Sequence, residues 1–107
     1  MIIKSNEANQ KNVWPMNIKE YKINTNFSWA LIKINWDHWK IKCLHEDRIY
    51  YIINWKWQFI INWIENIVSK EDVIYIPRNT PYNIIWEIEF FLICSPEFKV
   101  GDDIHLD

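Results

Sequence analysis

His38, Cys43 and His45 place three metal-ligating side chains within eight positions of a 107-residue chain. Imidazole and thiolate donors suit zinc and related ions, which need about three such ligands to be held. Strand alternation would put Cys43 and His45 on one face and Lys42, Leu44 and Arg48 on the other. The simpler reading leaves the two histidines on the surface or in loops beside a strand, and His105 exposed in a polar tail. Cys43 and Cys94 are too few for a disulfide framework, and neither lies in a CxxC pair. They read as small buried apolar residues. No Ser/His/Asp or Cys/His spacing supports a nucleophile, and no glycine-rich loop offers a phosphate cradle.

The elements that must position these groups are strands. Phe27 to Ile34, Lys40 to Leu44, Arg48 to Ile53, Lys56 to Ile61, Glu65 to Val68, Val73 to Ile76, Tyr82 to Ile85 and Glu87 to Cys94 are short, rich in Ile, Tyr and Phe, and separated by turn residues. No long 3.6-residue period appears anywhere. That pattern predicts an all-β sandwich or barrel. Residues 1 to 17 have no sustained period and read as a loose arm with a short strand near Ile2-Ile3. Residues 99 to 107 read as a polar tail, and the whole chain as one domain with its core over about 27 to 98.

The turns are unusual. Asn35-Trp36, Asn54-Trp55 and Asn62-Trp63 stand where a two-residue hairpin asks for Asn-Gly, because both central residues need a positive φ that a bulky side chain resists. The chain has 8 Trp and 1 Gly, with 21 Ile, 12 Asn and 10 Lys against 2 Ala and 2 Arg. This is the skew of an AT-rich coding sequence. UGA codons written as Trp but decoded as Gly would account for Trp at these turns.

Composition excludes several classes. A net charge of −2 with no basic stripe argues against nucleic acid. No apolar run reaches the length of a membrane span, and the first ten residues lack the apolar stretch of a secretion signal, so a cytoplasmic protein is expected.

The spacing of the middle of the chain resembles that of the cupins, small antiparallel β-barrels of jelly-roll type. Their first motif places Gly, His, His, Glu and Gly where this chain has Trp36, Lys42, Leu44, Arg48 and Trp55. Their second maps onto Glu71, Pro77, Asn79, Tyr82 and Trp86, within the segment Asp72-Val73-Ile74-Tyr75-Ile76-Pro77-Arg78-Asn79-Thr80-Pro81-Tyr82. The resemblance covers roughly residues 27 to 98 and implies an all-β cupin-type barrel. Every metal-ligand position is replaced, so neither a metal at the motif nor any other cofactor is expected.

The resemblance also implies which side chains face the interior: Lys42, Leu44, Arg48, Tyr50 and Ile52 from one strand pair, Tyr82 and Ile84 from another. Lys42, Arg48, Tyr50 and Tyr82 are therefore the expected ligand-binding residues. The Arg fork suits a carboxylate or phosphate, and the Tyr hydroxyls give directional hydrogen bonds. A buried Arg needs an anionic companion, either an internal carboxylate such as Glu46, Glu87 or Glu89 or a bound small molecule. The expectation is a barrel that binds a small anionic or sugar-like metabolite. The alternatives are a metal-independent or metal-dependent cupin enzyme, either an isomerase or epimerase with Tyr82 and Lys42 as acid and base or an enzyme of dioxygenase type, and a Trp-rich carbohydrate-binding or interaction module. Exposed Ile-rich edges and the habit of the family imply a homodimer.

Overall fold

The computed structural model describes residues 2–22, 26–36, 38–54, 57–85, 87–99 and 101–106. Among these residues, eleven strands and one 3-10 turn (Ser5–Glu7) form the regular structure. The strands are β1 (Asn9–Val13), β2 (Met16–Tyr21), β3 (Ser28–Ile34), β4 (Ile41–Cys43), β5 (Asp47–Asn54), β6 (Trp57–Ile61), β7 (Ile64–Val68), β8 (Val73–Ile76), β9 (Tyr82–Ile85), β10 (Ile88–Ser95) and β11 (Asp103–His105). They form two sheets, ordered β1-β2-β3-β10-β5-β8 and β11-β4-β9-β6-β7. Every ladder is antiparallel.

The eight strands expected from the sequence are all present. Their alternation builds the core: Ile32, Ile34, Tyr50, Ile52, Ile74, Ile76, Ile88 and Phe90 come from the larger sheet, and Ile41, Phe59, Val68, Tyr82 and Ile84 from the smaller. At the centre Tyr50 sits edge-on to Phe59 and Phe90, with centroids 5.1 and 4.9 Å away. Such pairs contribute about 0.5–1.5 kcal/mol beyond the area they bury.

Both chain ends differ from expectation. The arm is a hairpin, β1 with β2, that extends the larger sheet through β2 against β3, and no strand forms at Ile2-Ile3. The polar tail carries β11, whose Asp103 and Ile104 pair with Cys43 and Lys42 of β4. Just before it, the Asp102 carboxylate accepts from the Lys99 amide at 2.9 Å, the Asp102 amide donates to the Lys99 carbonyl at 3.1 Å, and Gly101 has φ 93°.

The inward face of β4 also differs. Ile41 and Cys43 are buried, whereas Lys42 is half-buried and Leu44 exposed. Cys43 and Arg48 are an odd number of residues apart, yet both face the interior. The turn at 44–46 interrupts the strand and resets the alternation, so the parity carried back from Arg48 to Lys42 and Leu44 fails.

Asn62 and Trp63 have φ 51° and 65°, the two positive values of the tight hairpin expected between β6 and β7. Asn35-Trp36 forms a bend, and Trp55 lies outside the described residues. Glu71, at a third motif glycine, also has positive φ, at 74°. Trp63 is 65% exposed, so its ring recovers little of the cost of the left-handed backbone. Trp63→Gly is expected to stabilise the protein by about 1 kcal/mol in a denaturant titration. UGG codons at the turn tryptophans of the gene would contradict the reading of these positions as glycine.

Candidate functional site

Arg48 organises the interior. It is 3% exposed on the inward face of β5, and each part of its guanidinium has a partner. Nε donates to Glu46 Oε1 at 2.9 Å, and Nη2 lies 2.8 Å from the same oxygen. Nη2 also donates to Asp103 Oδ1 at 2.6 Å, and Nη1 donates to Tyr82 Oη at 2.7 Å. Phe98 lies 5.8 Å from its central carbon. Burial opposes the charge, but the surrounding Tyr82, Tyr50 and Asp103 oxygens more than compensate, and the guanidinium stays protonated.

Glu46 is one of the three carboxylates expected to accompany Arg48. Asp103 was not among the candidates: it reaches the site only because β11 pairs with β4. Burial pushes the Glu46 carboxyl up, and the Arg48 charge offsets that only in part.

Tyr82 and Tyr50 continue the network. Their hydroxyls are hydrogen-bonded to each other, and both rings are 2% exposed. Since Tyr82 Oη accepts from Arg48, its own proton can pass to Tyr50, leaving the Tyr50 proton for a further acceptor. Burial pushes Tyr82 up to about 12 and Tyr50 well above its ordinary value, so both are neutral phenols at physiological pH.

Beside this network lies a cavity of about 580 Å³. Arg48, Tyr50, Cys94 and Asp103 are among its polar lining residues, and Ala30, Ile32, Phe90 and Leu92 among its apolar ones. Lys11 and Glu20 of the N-terminal hairpin lie on the cavity wall as a 3.3 Å ion pair. Of the four residues expected to bind ligand, Arg48 and Tyr50 reach the cavity. Tyr82 stands behind its wall, and Lys42 is not among the lining residues.

His38 completes the lining, and no strand pattern could have placed it there. Its backbone N–H donates to the Ile84 carbonyl at 2.8 Å, tying the segment before β4 to β9. The ring stacks on Tyr82, with centroids 6.1 Å apart and planes inclined by 16°. Nδ1 lies 2.6 Å from the Trp39 carbonyl oxygen, which can only accept. Nδ1 must therefore carry the proton, and Nε2 keeps its lone pair. Burial lowers the pKa from 6.5 to about 4, with the Trp39 hydrogen bond opposing the shift. His45 is exposed, and so is His105, although His105 packs edge-on to Trp39 at 5.5 Å and lines the cavity.

Two antiparallel sheets with this strand order match known structures closely. Pac13 of Streptomyces, solved with uridine, superposes with a TM-score of 0.89 at 17% identity, covering 99% of this chain and 89% of its own. KdgF from Halomonas gives 0.80 at 12% identity, covering 92% and 96%. Oxalate decarboxylase of B. subtilis gives 0.81 at 15% identity over 97% of this chain and 32% of the longer one. The chain has the cupin fold. Its sequence matches no family model and no curated protein. Pac13 is described as a nucleoside dehydratase, and it has been solved with uridine after replacement of a histidine by glutamine or of either of two tyrosines by phenylalanine.

The metal that many cupins carry does not fit the motif positions of this chain. Lys42 and Leu44 do not line the interior, Arg48 is a cation, and Tyr82 is a neutral phenol committed to Arg48 and Tyr50.

The lowered pKa of His38 makes stability depend on pH. The unfolded chain takes up a proton near pH 6.5 and the folded one only near pH 4. The contribution of the neutral ring is complete above about pH 6.5 and falls away as the pH drops toward 4, by about 3 kcal/mol in all. His38→Gln should therefore flatten the fall in stability between pH 6.5 and 4.5, measured by denaturant titration at each pH.

Proposed function

We propose that the cavity binds an uncharged, hydroxylated, nucleoside-like molecule and removes water from it by acid–base chemistry. One observation carries this reading. A histidine fixed as a neutral base and a tyrosine fixed as a neutral acid line the same cavity, beside a cation whose charge the protein already balances. The two ligand classes expected from the sequence, anionic and sugar-like, part at that point. Arg48 spends its donors on Glu46, Asp103 and Tyr82, so an anionic ligand would have to displace Asp103. A neutral sugar needs only hydrogen bonds and apolar walls, which Tyr50, Trp39 and Phe98 provide.

The chemistry balances without a cofactor. His38 Nε2 takes a proton from a carbon next to a carbonyl of the ligand. The C–H electron pair forms the new double bond, and the C–O bond of the β-hydroxyl breaks. The leaving hydroxyl takes the Tyr50 proton and departs as water. The Tyr50 oxygen left behind is stabilised through Tyr82 by Arg48, and the proton on His38 restores it. The likeness to Pac13 in fold, with a histidine and two tyrosines gathered around the site, supports this reading.

Calorimetry with uridine and uridine 5′-monophosphate tests the ligand class. Uridine is expected to bind at least tenfold more tightly, and the reverse order would overturn the assignment. Incubation with nucleosides oxidised to a carbonyl tests the reaction by mass spectrometry. Loss of one water is expected, and it should fall about 100-fold or more in His38→Gln and Tyr50→Phe.

We further propose that the protein is a homodimer. Ile49, Tyr51, Val73 and Tyr75 are 40–63% exposed and pair across β5 and β8 on one outer face. Phe91 and Ile93 continue the same rows on β10. An exposed apolar sheet face of this extent favours burial against a second copy. Light scattering should give twice the chain mass at micromolar concentration and the single mass for Val73→Lys/Tyr75→Glu. A monomeric wild-type protein would refute the assignment.

A further inference from the structure

Next to Arg48, through Glu46, lies a group of side chains that the proposed reaction does not use. Cys43 ends β4, Glu46 stands in the turn to β5, and Asp102 directly precedes β11. Each offers one ligand atom, and the three atoms lie within 4.8 Å of one another. Glu46 is 1% exposed. Its Oε1 takes both contacts from Arg48, while Oε2 is buried without a hydrogen-bond partner. An unpartnered buried carboxylate oxygen is costly and calls for a ligand.

We propose that Cys43, Glu46 and Asp102 form a binding site for a zinc-type divalent cation, which anchors the C-terminal strand to the barrel. These positions are distinct from the cupin motif positions discussed above. A thiolate with two carboxylates is a borderline-soft donor set, suited to zinc or cobalt rather than to magnesium or calcium. Bonds of about 2.0–2.3 Å to the ion require donor atoms about 3–4 Å apart, so the cluster needs to close by roughly an ångström, with water completing the coordination. Charge also favours the assignment. With Cys43, Glu46, Asp102 and Asp103 ionised beside the single Arg48 guanidinium the group carries a net charge of about −3, and a dication reduces it to about −1.

The consequence reaches the cavity. Asp102 adjoins Asp103, the partner of Arg48, and β11 has only three residues to hold that segment in place. Gly101, Asp103 and His105 of the segment line the cavity. An ion on Asp102 therefore fixes the wall that keeps the Arg48 charge balanced.

Cobalt titration of the full chain, stripped of metal by a chelator, tests the site. A thiolate-to-cobalt charge-transfer band should grow to one equivalent and be displaced by zinc. It should disappear in Cys43→Ser, persist in Cys94→Ser, and require at least tenfold more cobalt in Asp102→Asn. Zinc should also raise the melting temperature of the wild type and leave that of Asp102→Asn unchanged. Absence of the band at one equivalent, as expected if Glu46 and Asp102 merely share a proton, would overturn the proposal. A band that survives in Cys43→Ser or is lost only in Cys94→Ser would do the same.

Discussion

A buried positive charge governs this protein. Arg48 sits inside a small barrel where an unbalanced guanidinium would cost several kcal/mol. The surrounding structure supplies its companions from distant parts of the chain. Glu46 comes from the preceding turn, Tyr82 from the opposite sheet, and Asp103 from a terminal strand 55 residues away. The arrangement turns a cation into a fixed electrostatic anchor. Its influence also reaches the cavity through the hydrogen bonds of Tyr82 and Tyr50.

On the proposed reading, the same anchor helps the acid and the base to coexist in the cavity. Burial keeps His38 neutral down to about pH 4, and its hydrogen bond to the Trp39 carbonyl fixes which nitrogen is free. Burial keeps Tyr50 protonated, while the path through Tyr82 to Arg48 can stabilise the phenolate when the proton leaves. The two groups are pushed in opposite directions and end with opposite roles, the pattern expected of an acid–base pair.

Much of the fold was legible in the sequence. The short Ile, Tyr and Phe runs between turn residues located eight strands, and the alternation Arg48, Tyr50, Ile52 correctly faced the interior. Lys42 and Leu44 failed because the turn at 44–46 breaks the alternation that linked them to Arg48. The hairpin β1–β2 escaped notice because strands such as Asn9–Val13 lie at a sheet edge, polar and mostly exposed, without a buried face to leave a period. Asp103 was illegible for a related reason. A three-residue strand pairs through its backbone, and nothing in Asp-Ile-His announces a partner for Arg48. His38 lies outside any strand, so its place depends on a backbone bond to Ile84 and a ring stacked on Tyr82. Trp63, by contrast, was readable from physics alone. Its positive φ follows from the two-residue turn.

The protonation state of His38 is the claim on which the chemistry rests. Nitrogen-detected NMR of the imidazole between pH 7 and pH 4 measures both its tautomer and its titration. The account predicts a neutral ring with the proton on Nδ1 that begins to charge only near pH 4. A ring that titrates near 6.5, or that carries its neutral proton on Nε2, would contradict it.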